Sequence, residues 1–422
     1  MFANLKGLFS PTNKDLRKRI LFTLGCLAIF ALGTNVIVPG AKSITKNLGF
    51  LELLNLMSGG SLKSFSIFAL GVMPYITATI ITQLFEMDII PYFTELKEQG
   101  ATGRQKLNKI NRYLGIMFAL IQGYVFSLAF LNNAGTETVI KSTIYLTAGT
   151  AFLLWIGDEI TKKGIGNGVS LLIMAGIVNT LPQTFISAFN QLVLGDLYST
   201  WTGIFLFAAF VIIYLGIIIG VIYMQIAERR VPIQYSNRTA SSYGGDKAYI
   251  PIKLNAANVI PVIFASAIIG IPSMIAPVIK STSFTNFVEK YINYTSLTGF
   301  LLYMVLIFLF GYFYTLLELN PDEMAENLDK SRGYIPGITP GDKTSAYLKY
   351  VITRQTIVGT LGLMLLAALP IAFSKLSALS SNVTIGGTGL LIVVGVALET
   401  YKQLESSIVS RSYTEIRRRH RR

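Results

Sequence analysis

Cysteine occurs once in these 422 residues and histidine once, and each shortage removes a class of chemistry. With Cys26 alone, no disulfide can form within the chain and no multi-cysteine metal site can be built. The one histidine, His420, lies in the basic run Arg417-Arg418-Arg419-His420-Arg421-Arg422. That setting describes a solvated side chain, so a histidine-centred mechanism is excluded and the chain does not read as an enzyme. A phosphate-binding loop is missing as well. In Gly337-Ile338-Thr339-Pro340-Gly341-Asp342-Lys343-Thr344 the glycine and lysine spacing is wrong, with Pro336 before it and Pro340 inside it. Nucleotide energy must come from a partner, and no cofactor is expected.

Charge is the other shortage. Only 14% of residues are charged, against 52% hydrophobic, and the mean hydropathy is +0.55. Ten stretches hold no Asp, Glu, Lys or Arg: 20–38, 64–85, 113–136, 142–157, 164–195, 197–227, 254–279, 291–317, 355–374 and 376–398. A helix needs about 17–25 residues to cross a bilayer core. The expected fold is therefore an all-α membrane protein with ten transmembrane helices. The runs lack period-two alternation and are too long for tilted strands of about ten residues, so a barrel is excluded.

Lys and Arg concentrate on the cytoplasmic side of membrane proteins. With both termini inside, 29 of the 36 basic residues are cytoplasmic and seven are not. The first run resembles a signal peptide, but Asn35-Val36-Ile37-Val38-Pro39 is a poor cleavage site, so the span is expected to be retained.

Spans two, five, seven and ten stand apart: the stretch Ile67 to Phe85 of span two carries Gly71, Pro74, Tyr75, Thr77, Thr79, Thr82 and Gln83, which suits either close helix packing or a pore wall. Two of their motifs recur. Gly71-Val72-Met73-Pro74-Tyr75-Ile76 is echoed by Val259-Ile260-Pro261-Val262-Ile263. Gly166-Asn167-Gly168-Val169-Ser170-Leu171-Leu172-Ile173 is echoed by Gly386-Gly387-Thr388-Gly389-Leu390-Leu391-Ile392. Both pairs are five spans apart. An odd number of spans per copy inverts the second, so two inverted five-helix halves are expected, 20–195 and 196–400, between a tail 1–19 and a basic tail 401–422. Before span two, Phe50-Leu51-Glu52-Leu53-Leu54-Asn55-Leu56-Met57 is apolar but too short to cross, and Ser58-Gly59-Gly60-Ser61 separates it from the span itself. It reads as a half-helix on a hinge, or as a helix lying on the outer surface.

These strings, with Gly164-Ile165-Gly166-Asn167-Gly168, Leu254-Asn255 and Gly333-Tyr334-Ile335-Pro336-Gly337, resemble in order the motifs of the SecY family, channel subunits of the bacterial protein translocase. The resemblance covers essentially the whole chain. It implies a passive channel that passes unfolded polypeptides across the membrane and releases signal sequences and membrane segments sideways into lipid. Carried over motif by motif, the constriction falls on Val72, Ile76, Ile165, Val169, Ile173, Ile263 and Ile392. An apolar ring gates by dewetting, and it yields to a passing chain of any sequence. The plug becomes 50–60, and Thr77, Gln83 and Asn255 become polar members of a lateral gate between spans two and seven.

The resemblance further implies that loops 227–253 and 320–354 dock the ribosome or the motor SecA through Arg229, Arg230, Lys330, Arg332, Thr339 and Lys343. A SecE-like single-span subunit, a SecG-like subunit and anionic lipids complete the expected partners in the bacterial cell membrane. The bland alternative makes these basic residues positive-inside anchors only. Two departures stand out: Phe30-Ala31-Leu32-Gly33 and Gly337-Ile338-Thr339-Pro340-Gly341 lack the Arg that the family usually carries in each. The second lies in a loop the family uses for its motor, which points to a divergent channel or an accessory paralogue. A secondary transporter also has inverted halves and broken helices. Coupled carriers, however, commonly place charges inside their spans at a cost of about 2.5–3.5 kcal/mol each, and the ten runs hold none.

Overall fold

A computed structural model describes residues 14–41, 55–86, 89–131, 135–195, 199–235, 248–279, 281–293, 296–377, 379 and 381–419. The first five residues of the expected plug, Phe50, Leu51, Glu52, Leu53 and Leu54, lie outside them, as does His420. Thirteen α-helices are labelled here: α1 Lys14–Gly33, α2 Met73–Phe85, α3 Pro91–Glu98, α4 Ala101–Phe130, α5 Thr136–Lys163, α6 Gly168–Phe189, α7 Thr200–Ile226, α8 Ile260–Ile279, α9 Thr282–Phe287, α10 Leu297–Glu318, α11 Pro321–Lys330, α12 Asp342–Leu376 and α13 Ser381–Arg419. Every charge-free run falls on one of them. Six stretches are long and apolar enough to cross a membrane: α4, α5, α6 with its π-turn to Leu194, α7, α10 continued to Lys330, and α12. The other four runs fall on α1, α2, α8 and α13.

Span two differs from its charge-free run. Residues 64–85 are helical only from Met73, and residues 58–72 run as successive turns, with Ser66 bridged to Ile37. The cause is local. Pro74 sits in the first turn, where its missing N–H costs nothing and its ring would clash with a preceding turn of helix. Gly71 takes φ +55°, and Ser58, Ser61 and Ser64 hydrogen-bond to nearby backbone carbonyls that a helix would otherwise use. The repeat partner behaves alike: turns over 256–259 precede α8, which begins at Ile260 with Pro261 second. Ile76 and Ile263 are thus both the fourth residue of a proline-started helix.

Close approach through bare backbone dominates the packing. A Cβ on Gly115 would lie 3.2 Å from Tyr75 Cα, one on Gly149 2.1 Å from the Ile67 carbonyl oxygen, and one on Gly389 3.0 Å from Ile177. These contacts press α4 against the first turn of α2, α5 against the segment that leads into α2, and α13 against α6. Hydroxyls within the helices donate to the carbonyl a turn earlier, as Thr82 does to Ala78 at 3.0 Å and Thr360 to Thr356 at 2.8 Å. Arg112 and Asp158 form an ion pair joining α4 to α5 just beyond the ends of their apolar runs.

A second apolar cluster lies apart from the main one. Strand β1 (Glu228–Pro232) pairs antiparallel with β3 (Tyr249–Lys253), and β2 (Gln234–Tyr235) pairs with β4 (Gly333–Tyr334) in the register Gln234↔Tyr334 and Tyr235↔Gly333. Val231, Ile233 and Ile252 then pack with Ala325 and Leu328 of α11, with Ile335, and with Leu348, Val351 and Ile352 of α12. The loops 227–253 and 320–354, read from sequence as separate, form one cap.

Candidate functional site

Val72, Ile76, Ile173 and Ile392 are buried in the main apolar cluster, and the half-buried Val169 and Ile263 pack against it. They come from, or immediately precede, four helices that share this cluster, α2, α6, α8 and α13. Val72 immediately precedes α2 and Ile76 lies in its first turn; Ile263 has the matching place in α8. Val169 and Ile173 follow the start of α6, which Asn167 caps by accepting from the N–H groups of Val169 and Ser170 at 3.1 and 3.4 Å. Ile392 lies on α13, beside α6.

Ile165 is placed differently. It precedes α6, half-buried, with its N–H donating to Thr23 Oγ1 at 3.1 Å, and it lines a cavity of about 420 Å³ with Arg19, Thr161, Gln403 and Ser406. The structure does not bring it into the apolar cluster that holds the other six. The helix cap at Asn167 explains why: residues before it are still in the connection, one turn short of the converging faces. A second polar cavity of about 500 Å³ lies on the same part of α13, lined by Gln225, Lys253, Glu399 and Lys402 among others. Lys402 donates to the Gln225 carbonyl at 3.0 Å, and partial burial, with Lys253 nearby, holds its ammonium below the usual lysine range.

Of the expected plug, residues 55–60 are described. Asn55, Leu56 and Met57 form a short helical turn, all three buried, and Leu56 and Met57 belong to the same apolar cluster as the converging Val and Ile side chains. Gly59 and Gly60 then reverse the chain at φ +73° and +84°, values an L side chain rarely adopts. The segment rests on α6: a Cβ on Gly176 would lie 2.4 Å from the Met57 carbonyl oxygen. Asn179 Nδ2 donates to the Gly59 carbonyl at 3.0 Å. Sequence reading passed over Asn179, whose only signal was an amide within an apolar run.

Helices α2 and α8 touch. Thr77 Oγ1 donates to the Met73 carbonyl at 3.1 Å, and Gln83 Oε1 is buried without a hydrogen-bond partner. Asn255 is buried, but its amide donates to the Asn258 carbonyl at 2.8 Å and holds the turn before α8. Among the described residues no hydrogen bond joins it to Thr77 or Gln83. On the cap, Arg229, Arg230, Lys330, Arg332, Thr339 and Lys343 are all exposed. Arg230 bonds Glu228 at 2.9 Å and lies 4.7 Å over the Tyr249 ring, while Lys330 pairs with Glu326 at 2.7 Å. Arg332 adopts φ +54°, and Gly337 and Gly341 adopt +84° and +91°, so the loop carrying Thr339 is a chain of tight turns. Ala31 is exposed, its carbonyl accepting from Thr34 Oγ1 at 2.7 Å.

Comparison with known proteins bears on the family and the fold. The SecY family model matches residues 66–401. The protein translocase subunit SecY of Bacillus licheniformis is 42% identical over 414 residues, covering 95% of this chain and 96% of the relative. That of Staphylococcus epidermidis is 41% identical over 429 residues, covering 98% and 99%. Among solved structures, a protein conducting channel superposes with a TM-score of 0.64 at 19% identity, covering 94% of this chain and 93% of its own. A SecY protein whose plug domain is described as stabilising the closed state and maintaining a membrane seal gives 0.64 at 20% identity over the same shares. Sec61 from a canine ribosome-channel complex gives 0.63 at 20% identity, again over 94% and 93%.

Proposed function

The chain belongs to the SecY family, and from that premise we propose that it conducts unfolded polypeptides through a seal made by Val72, Ile76, Val169, Ile173, Ile263 and Ile392. The observation that carries this reading is that Val and Ile side chains of four separate helices belong to one apolar cluster that also holds Leu56 and Met57. Such a closure has no fixed charge or hydrogen-bonding group to hold an ion. It stays dry when narrow and wets when a chain parts it. Residues 50–60 form the plug, of which the described part, 55–60, rests against α6. The contact of α2 with α8 is the lateral gate, through which signal sequences and membrane segments pass into lipid. Thr77 and Gln83 are its polar members, and Asn255 acts through the turn that starts α8. Ile165 belongs to the wet mouth below the ring.

The inverted halves are 20–195 and 196–400, with both termini cytoplasmic in a bacterial cell membrane. The gathering of two basic loops into one cap supports that orientation. The relatives are named as subunits of a translocase, and one structural neighbour was solved with a ribosome. On those grounds a SecE-like subunit braces the bundle, a SecG-like subunit joins it, and the cap receives the ribosome or SecA, with anionic lipids around the basic rim. Exposed Arg and Lys suit ribosomal RNA or an acidic motor surface.

The test is the double substitution Ile76→Asn with Ile263→Asn, reconstituted with a SecE-like subunit. Two amides in the constriction should wet the resting pore and raise ion leak in single-channel recordings. Parental conductance in a correctly folded double mutant removes these residues from the seal.

A further inference from the structure

Segment 55–63 satisfies most of its polar groups from within. The Asn55 carbonyl accepts from the Gly60 N–H at 2.7 Å and from Ser58 Oγ at 3.1 Å, Asn55 Oδ1 accepts from the Lys63 N–H at 2.9 Å, and Ser61 Oγ donates to the Ser58 carbonyl at 2.5 Å. The Gly59 carbonyl is different, because its hydrogen bond comes from another element, Asn179 of α6. Gly176 and Asn179 are three residues apart and so share a helix face. The first lets the segment's backbone lie on the helix, and the second reaches up to hold it. A Cβ on Gly59 would meet Thr34 at 3.2 Å and Gly176 Cα at 3.4 Å, so the turn packs where the residue after α1 and α6 come together. Asn179 is not enclosed by packing, so its side chain is free to release the carbonyl.

We propose that Asn179 is a gating residue: its amide latches the Gly59 carbonyl, biases the plug toward its seat, and sets how strong a signal sequence must be to open the channel. The proposal rests on the reading of 50–60 as a plug. An amide suits the task because it donates without carrying charge, and the same group can pass to water once the plug leaves.

Full-length channel reconstituted with its SecE-like subunit provides the test, read by single-channel opening frequency and by export of a substrate with a weakened signal sequence. Asn179→Ala should raise resting openings roughly three- to tenfold, the range for loss of one hydrogen bond. It should also improve export of the weak substrate. Asn179→Asp should do at least as much, because a carboxylate cannot donate to a carbonyl. In a channel lacking residues 51–57, Asn179→Ala should add nothing. If that deletion leaks while Asn179→Ala matches the parent, the latch is wrong and the plug stands. If Asn179→Ala still adds leak after the deletion, Asn179 acts on the seal and not through the plug. If the deletion leaves leak and selectivity unchanged, the plug reading fails and the latch with it.

Discussion

The main cluster and the cap are both held by aliphatic side chains, yet they use opposite means to bring backbones together. Around the seal, helices approach through glycine: Gly115 on Tyr75, Gly149 on the Ile67 carbonyl, Gly176 on the Met57 carbonyl. In lipid the hydrophobic effect gives no drive to pack one helix on another, so contact depends on dispersion at close range and on small residues that permit it. The cap follows the rules of a water-soluble domain. Asn320 caps α11 by accepting from the Asp322 N–H at 3.1 Å, Pro321 stands in the first turn, Asp322 and Glu323 sit at the positive end and Lys330 at the negative end. Its core is closed by burial of Leu348, Val351 and Ile352. The main cluster is therefore held by close contact of small residues, and the cap by burial of apolar side chains away from water.

That contrast predicts a separation of phenotypes. Leu348 is fully buried. Leu348→Ala should cost the cap about 2–5 kcal/mol through a cavity that its short strands cannot fill. Limited proteolysis should then cut the loops 227–253 and 320–354 faster, while resting ion leak stays parental. Leak rising together with cleavage would mean that cap and seal are one cooperative unit, and the comparison would collapse.

The converse variant acts on the seal. A methyl at Gly149 would stand 2.1 Å from the Ile67 carbonyl oxygen, a backbone atom that cannot rotate away. Gly149→Ala should push the segment before α2 off α5 at a cost of about 1–3 kcal/mol, typical of overpacking. Thermal stability of the purified complex should fall and leak should rise, with cap proteolysis unchanged. A parental melting temperature would show that α5 shifts freely and that glycine contact does not position the ring.

How much of this was legible in the sequence divides along the same line. Membrane spans are read from absent charge, so the helices were visible from composition, and the repeated Val-x-Pro-x-Ile pattern marked the two helices that begin alike. The cap was not visible. Its pairing of Gln234 with Tyr334 joins residues 100 positions apart through two-residue strands, too short for any periodicity to register. The start of span two was overread as helix, because lack of charge reports on solvent and not on backbone geometry. Ile165 was placed by motif alone, although the Asn167 cap in the same string marks where the helix begins. Asn179 carried no pattern at all, since its meaning depends on a carbonyl 120 residues earlier.

The smallest expected effect lies on the cap's rim, at Thr339. The residue is exposed, and its carbonyl accepts from Thr344 Oγ1 at 3.1 Å, which ties the loop to the start of α12 without involving the Thr339 side chain. Ile338 beside it packs on the cap core, so the loop is held from one side and presents position 339 outward. Arg can pair with a carboxylate through two parallel N–H bonds, and Thr cannot. Thr339→Arg should therefore strengthen engagement of a generic SecA without disturbing the cap. An exposed ion pair is worth about 0.2–1 kcal/mol, so translocation-stimulated ATPase activity should rise by no more than about fivefold, and less at high salt. Insertion driven by ribosomes should change less, because Arg229, Arg230 and Lys343 already supply exposed positive charge on the cap. Vesicles carrying the parent or the variant, each with the same SecE-like subunit, decide the matter. Equal ATPase and export rates across several salt concentrations would show that the basic rim already saturates motor docking and that Thr339 is neutral there.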